Sequence, residues 1–545
     1  MTWAALGAVL AARLLYLARY GWDIGWMNLG YLDHARQLAL GEARAAEEQP
    51  LAYYALVAAR RLGLSALGAN EAVYLVAHLL LAAGAVGIAR FVWQEPTRRR
   101  QAILVATLAL VPLLASQSGR NNLGVTLAAG LTACALAAGA RASTARDAGG
   151  RAVLAVLAAL LAALAASARY EALATCLGAA AVLAWFGPRM PQVVAPRRAA
   201  LALGVGALGG LVAVFALRRA LSGGATAGDP TYAFYTFFDG LPLLMHPELP
   251  GTEYGRYRAS VRYFGGFDAN HGSLVHALLH HPGWAVLRVV TKPVDLLLVL
   301  LWLYGLTPVG VALAVAGARK LGSWRGWGRG WLLAAYLLPL GMLFVPQQNP
   351  AYYVSIAVPL VLAITRGVDR LADRLSPRAA RALAGLTVAG ALALIAFAGK
   401  LSVTNSRALN AAAPVLEARC ANGCLTNVLP QSLRDQAWVV TDAGAPFPPR
   451  LHRNERLIFG GLAGIDPAAY DFCGRVRRAR AAGFRGPVLI VDARIQSFKV
   501  FDADFDPEVR YQGTFDHGQA VEEQVLRSGP DTVVVSHLAP DRPCR

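Results

Sequence analysis

Charge is scarce in this sequence. Asp, Glu, Lys and Arg make up 16% of its 545 residues, against 56% hydrophobic. A soluble chain of this length needs far more charge to cover its surface, which argues against a purely soluble protein. Acid is the scarcer sign: 33 Asp and Glu stand against 52 Lys and Arg, a formal net charge of +19. No basic-aromatic reading module accompanies that excess, so nucleic acid is not an expected partner. The first apolar run, Thr2–Leu17, lacks a basic leader and a clear small-residue cleavage site. It reads as an uncleaved helix rather than a signal peptide. Arg13 inside it is expected to snorkel or to face a bundle interior. Neither Gly-x-Gly-x-x-Gly nor a phosphate loop accompanies the strand-like segments near the C-terminus, so nucleotide binding has little support.

What the chain does have is a succession of apolar runs of about 17 residues or more, enough to cross a bilayer core. We read about eleven, at about 2–19, 70–93, 102–117, 123–140, 152–168, 171–186, 199–217, 294–317, 331–346, 351–365 and 382–399. The expected fold class is an all-α polytopic membrane protein with a C-terminal soluble α/β domain. The expected boundary leaves 1–399 in the membrane and 400–545 as the soluble domain. Basic residues crowd the short connections: Arg98, Arg99 and Arg100; Arg189, Arg197 and Arg198; Arg319, Lys320, Arg325 and Arg329; Arg366, Arg370, Arg374, Arg378 and Arg381. Placing these in the cytoplasm obeys the positive-inside bias and every alternation of the spans. It puts 20–69, 118–122, 218–293 and the C-terminal domain outside. Arg218 and Arg219, with Arg36, Arg60 and Arg61, then lie on the outer side, against the trend.

Cysteine follows the same division. Cys134 and Cys176 sit in apolar helices, where buried thiols are ordinary. Cys420, Cys424, Cys473 and Cys544 all fall in the C-terminal domain. Outside the cell these are expected to form two disulfides, with the pairing open and zinc as the competing reading. In that domain 437–441, 487–491 and 532–536 are short buried-strand patterns, with polar helical stretches such as 470–482 between them.

The outer segment after the first span is rich in aromatic and polar residues. Tyr31, Ala35 and Leu38, then Leu51, Tyr54 and Leu56, mark two amphipathic helices. Both are too short to span, so each is expected along the outer membrane surface. This layout resembles the polyprenyl-phosphate-sugar-dependent glycosyltransferases of the GT-C fold, the bacterial group of protein O-mannosyltransferases and the lipid A aminoarabinose transferase. The resemblance rests on Tyr31, Ala35, Leu38 and Gly41, and on Gln49-Pro50-Leu51-Ala52-Tyr53-Tyr54. Further matches are the late stretch from Gln348 to Pro359, with Tyr352 or Tyr353 in a tyrosine slot, and the run from His276 to Pro282 ahead of the eighth span. It covers about residues 1–400.

That resemblance implies transfer of a sugar from a polyprenyl-phosphate donor to an envelope acceptor, with inversion, at the outer face of the cytoplasmic membrane. A carboxylate accepts the acceptor's proton, and cations balance the departing phosphate. The family's acidic slot is Asn28 here, which is no base. Asp23 or Asp33 must substitute, with Glu171 the nearest other acid, or activity is lost. Asp33 also reads as a solvated helix face, Asp23 as a cap, and Glu171 as a partner for Arg169. Asn28, Tyr31, Tyr53, Arg120, Tyr352 and Tyr353 are the expected substrate contacts, with Arg256, Arg258, Arg262 and Lys292 as the cations. No cofactor is required; a divalent cation is the one left open. The expected partners are the lipid-linked donor, the envelope acceptor and membrane lipids. A catalytically inactive relative and a lipid or solute transporter are the alternatives. A transporter should show repeats with matching Gly/Pro-broken helices, which this sequence lacks.

The orientation is directly testable. An alkaline-phosphatase fusion after Ala398 should be active, and a reporter that works only in the cytoplasm should be silent there. The reverse pattern would place the C-terminal domain inside the cell.

Overall fold

Helices in a bilayer gain little by hiding apolar surface from lipid, which is itself apolar. They associate where small residues let backbones approach. The Ala- and Gly-rich runs of this chain supply such surfaces. The computed structural model describes residues 2–20, 35, 50–64, 66–93, 97–117, 123–222, 264, most of 268–290, 308–318, 328–338, most of 354–382 and four C-terminal strands. Its helices are α1 (Thr2–Tyr20), α2 (Pro50–Arg61), α3 (Ala66–Trp93), α4 (Arg98–Gln117), α5 (Leu123–Thr144) and α6 (Ala148–Ala168). There follow α7 (Tyr170–Phe186), α8 (Pro196–Ser222), α9 (Leu274–His280), α10 (Pro308–Ala318) and α11 (Ala357–Ala372), with a 3-10 helix at Arg329–Leu337.

Among the described residues five stretches, Gly68–Trp93, Leu123–Thr144, Ala148–Ala168, Tyr170–Arg189 and Pro196–Leu217, are long and apolar enough to cross a membrane. The first seven expected spans coincide with α1 and α3 to α8 to within a few residues. The helices overrun the apolar runs because hydropathy marks the bilayer whereas hydrogen bonding marks the helix. Arg98, Arg99 and Arg100, for example, form the first turn of α4.

The close approaches are made by glycine. On α8, Gly206 and Gly210 lie one turn apart, and a side chain on either would overlap the backbone of Ala159 or Ala163 on α6. Gly84 on α3 meets Ala133 on α5 in the same way, and Gly130 on α5 meets the carbonyl of Ala77. Between α10 and α11 the fit is reciprocal: Gly317 faces Ala363, and Gly367 faces Leu313. The helices α3, α5, α6 and α8 thus pack in series, and α7 closes against α8 and the 3-10 helix.

Two expectations need correction. Hydropathy predicts the ninth span as an α-helix over 331–346, but Arg329–Leu337 is wound as a 3-10 helix. Its first residue is anchored: Arg329 donates to Pro191 O at 2.9 and 2.7 Å, Phe91 O at 3.1 Å and Gln192 Oε1 at 3.1 Å. It also lies 5.0 Å over the Phe91 ring. From that anchor a 3-10 rise of about 2.0 Å per residue reaches farther than the about 1.5 Å of an α-helix. The tenth span is expected at about 351–365, yet α11 continues through Ala372. Arg366 and Arg370 are therefore helical rather than parts of a loop.

Asp369 explains that extension. Its side chain is 1% exposed. It accepts from Arg99 at 2.8 Å, Arg100 at 2.5 Å and Arg366 at 2.7 Å, while Arg99 also reaches Asp373 at 2.5 Å. This cluster ties α11 to the start of α4 at the end the basic residues assign to the cytoplasm. The eighth span is described only in part, by α10, and the eleventh lies outside the described residues apart from residue 382.

Toward the C-terminus four strands form one mixed sheet: β1 (Leu425–Thr426), β2 (Val488–Arg494), β3 (Ala520–Ser528) and β4 (Asp531–Leu538), in the order β1-β2-β4-β3. β1 runs parallel to β2, and β4 is antiparallel to both of its neighbours. β2 and β4 cover the expected strands at 487–491 and 532–536. The expected strand at 437–441, the helical stretch at 470–482 and the four cysteines lie outside the described residues. Cys134 and Cys176, by contrast, are free thiols within the bundle.

Burial raises the proton affinity of Asp369, but the hydrogen bonds from Arg100 and Arg99 outweigh it and hold the carboxyl below the usual range. A depressed folded value means the stabilisation is complete above the unfolded value of about 3.9 and is lost as pH falls through the folded one. Asp369→Asn should therefore cost about 1–3 kcal/mol at pH 7, with the partly solvated arginines limiting the loss. Thermal unfolding in detergent should show the two proteins converging below about pH 4. Equal stability at pH 7 would dismiss the cluster as a tie between α4 and α11.

Candidate active site at the outer end of the bundle

α2 holds the second motif of the resemblance. It is twelve residues long and begins with Pro50, whose missing N–H suits a first helical position. Its buried side, Ala52, Tyr53, Leu56 and Val57, packs with Ala69, Val73, Tyr74 and Ala77 of α3. Leu123 and Leu127 of α5, Ala165 and Ala168 of α6 and Ala172 of α7 complete the same cluster. These belong to the ends that the basic residues assign to the outside. Ala35, from the first motif, is fully buried in this cluster. Ala35 thus shares one cluster with the second motif, at these ends of four helices.

Charged groups lie at that level. Arg13 of α1 and Glu71 of α3 form a two-point ion pair, with Arg13 Nη2 at 2.6 Å and Nε at 3.1 Å from the carboxylate. Their side chains are 4% and 6% exposed. Arg13 therefore faces the bundle interior, one of the two alternatives open from sequence. At about 1.5 Å per residue, both residues lie about 8–10 Å from the outer ends of their helices, so the depths match. His78 and Tyr74 follow on α3, with ring centroids 6.0 Å apart. Asn70, next to Glu71, is fully buried.

Glu171 is found where a single residue joins two helices. Arg169 is extended, at φ −160° and ψ 145°, so it ends α6 and starts α7 without a loop. Its guanidinium donates to both oxygens of Glu171, at 2.9 and 2.6 Å. The carboxylate in the first turn of α7 also suits that helix's positive end. The pairing read from sequence as an alternative role for Glu171 is the one the structure displays.

The other sequence candidates are not brought together here. Asp23, Asn28, Tyr31, Asp33, Arg120, Arg256, Arg258, Arg262, Lys292, Tyr352 and Tyr353 lie outside the described residues. Of the expected set, Tyr53 and Glu171 are described. Glu71 and Asn70 are residues that sequence reasoning misses. A signal exists: opposite charges, one in each of the first two spans, at matching depths. Farther along, His271, just before α9, and His276 and His280 on it form a row, with successive centroids 4.9 and 4.1 Å apart. Among the described residues no group of three or more His, Cys, Asp or Glu is placed to hold a metal ion.

Breaking one partner of the Arg13–Glu71 pair leaves a buried charge and should cost about 3–5 kcal/mol. Arg13→Leu and Glu71→Leu should each melt well below the wild type. The double variant should recover most of the loss, because lipid and leucine are compatible. Additive losses in this double-mutant cycle would show that the two side chains are not coupled.

No family model matches this chain, and no curated protein matches it. Two solved structures resemble it over nearly its whole length. ArnT from Cupriavidus metallidurans bound to undecaprenyl phosphate is 13% identical, with a TM-score of 0.42, over 97% of this chain and 97% of that one. The apo state of the same protein is 15% identical, with a TM-score of 0.41 and the same coverage.

Proposed function

We propose that the chain is a membrane glycosyltransferase, moving a sugar from a polyprenyl-phosphate donor to an envelope lipid, glycan or protein acceptor at the outer face of the cytoplasmic membrane. The observation that carries this reading is the shared burial of Ala35 with Ala52, Tyr53 and Leu56 against the outer ends of α3, α5, α6 and α7. Ala35 of the first motif and Tyr53 of the second, matched to the family by sequence rhythm alone, thus fall in one buried cluster.

The reaction needs few parts. A carboxylate takes the proton from the acceptor hydroxyl as its oxygen bonds to the anomeric carbon. The bond from that carbon to the phosphate oxygen breaks, and polyprenyl phosphate leaves with the electron pair. A single displacement of this kind inverts the anomeric centre. Asp23 is the proposed base, just beyond α1 and flanked by Trp22 and Trp26, residues that favour the interface. Asp33 is held in reserve. Glu171 is the weaker candidate, since Arg169 engages both of its oxygens. Arg256, Arg258, Arg262 and Lys292 in the long outer segment are the proposed neutralisers of the leaving phosphate. Asn28, Tyr31, Tyr53, Arg120, Tyr352 and Tyr353 are proposed substrate contacts. Much of the rate comes from holding donor and acceptor at one face of the membrane.

Mass spectrometry of envelope glycans and lipids tests this whatever the acceptor. A deletion strain should lack a glycosylated species that the wild-type gene restores. Asp23→Asn removes the base while keeping the shape, so turnover should fall by about 10² or more. Full restoration by Asp23→Asn and none by Asp33→Asn would move the base to Asp33. A deletion that changes no envelope glycan would reject the transferase and favour an inactive relative, the outcome Asn28 leaves open.

A further inference from the structure

The amide of Asn70 is fully buried, and neither Nδ2 nor Oδ1 has a hydrogen-bond partner among the described residues. Other buried groups lack one too, such as Thr132 Oγ1, Trp93 Nε1 and Tyr336 OH. Each of those is a single atom. Among the described residues only Asn70 has two buried polar atoms, an amide nitrogen and a carbonyl oxygen, without a partner. Buried amides are expensive to leave unpaired, so one kept at this position points to a partner that arrives from outside the chain.

Its surroundings narrow the partner. Asn70 is the third residue of the apolar stretch beginning at Gly68, at the outer end of α3. It shares a helix face with Tyr74 and Ala77, which belong to the buried cluster holding Tyr53 and Ala35. The next residue, Glu71, is neutralised by Arg13. That pair therefore adds no net charge beside Asn70 with which to draw an anion. The phosphodiester of a lipid-phosphate sugar would accept from Nδ2 but leave Oδ1 orphaned, because it has no proton to give. A hydroxyl satisfies both atoms, accepting from Nδ2–H and donating to Oδ1.

We propose that Asn70 is a specificity residue that reads a hydroxyl of the sugar carried by the lipid-phosphate donor. This rests on the transferase reading above and adds to it a division of labour. The cations of the outer segment hold the phosphate, and Asn70 tells one sugar from another. A site built to pair a substrate hydroxyl strongly rejects the analogue lacking it, since its own polar atoms are then left unpaired.

The test uses the full chain in nanodiscs and two kinds of probe. One is undecaprenyl phosphate without a sugar. The other is a panel of undecaprenyl-phosphate sugars carrying glucose, mannose or arabinose. Wild type should bind at least one sugar-bearing lipid more tightly than the bare phosphate. Asn70→Leu, of similar volume, should bind bare phosphate as wild type does and lose about tenfold or more toward the preferred sugar. Its melting temperature without ligand should equal or exceed the wild type's, because the orphaned amide is gone. Asn70→Ala also removes both polar atoms, so it should lose the same sugar preference while serving as a second folded variant. Undiminished sugar preference in Asn70→Leu overturns the inference and leaves the transferase reading standing. A wild type that binds neither probe overturns both. Free methyl glycosides competing in place of the lipid-linked sugars would assign Asn70 to the acceptor and overturn the donor assignment.

Discussion

Everything described in the bundle depends on how closely helical backbones can approach inside a lipid solvent. Leucine against leucine is no better there than leucine against an acyl chain, so contact must come from shape. The Gly206–Gly210 ridge against Ala159 and Ala163 achieves it, as does the reciprocal pairing of Gly317 with Gly367. A larger side chain at any of these positions meets main chain, which cannot step aside as a rotamer can. The composition follows from this. Alanine and glycine replace the bulky residues that would fill a water-soluble core, and nearly all of α5 is buried despite its plain sequence.

Close packing sets distances but not register, and charges supply the register. On the side the basic residues assign to the cytoplasm, Asp369 gathers Arg99, Arg100 and Arg366 from α4 and α11. Arg329 meanwhile caps carbonyls in two other segments, at Phe91 and Pro191. Gln192 adopts a left-handed φ of 60° and accepts from the same guanidinium, so the turn before α8 is held in place by that contact. Toward the outer end Arg13 and Glu71 fix α1 against α3. Each of these is a guanidinium meeting carboxylate or carbonyl oxygen, a geometry whose directionality apolar contacts lack.

The spans are legible because hydropathy and span length are local properties. Seven apolar runs read from sequence match α1 and α3 to α8. The misreadings share one cause, tertiary contact between distant segments. Nothing near Asp369 in sequence announces the two arginines 269 and 270 positions away that keep α11 helical beyond its apolar run. Likewise the winding of Arg329–Leu337 is set beside an anchor to Pro191, 138 positions away. The site is legible as two motifs, and Ala35 of one falls in the same buried cluster as Tyr53 of the other. Glu71 and Asn70 escape because polar residues at the start of an otherwise apolar helix read as its solvated end. Only their burial distinguishes them from that.

The two faces of the bundle consequently treat polarity in different ways. On the basic side each carboxylate and guanidinium of the Asp369 and Arg329 clusters meets an opposite charge or a carbonyl within the chain, and those clusters hold helices together. At the outer end the Arg13–Glu71 pair is also closed within the chain, and so is Arg169–Glu171. Beside these closed pairs stands the amide of Asn70, which meets nothing among the described residues. If the outer polar residues served packing alone, an apolar residue at position 70 would pack as well and spare the desolvation of an amide. The neutral pair at Glu71 makes the neighbourhood polar without making it attractive to anions in general. A buried, uncharged amide carrying both a donor and an acceptor atom on a helix suits recognition of a hydroxyl group.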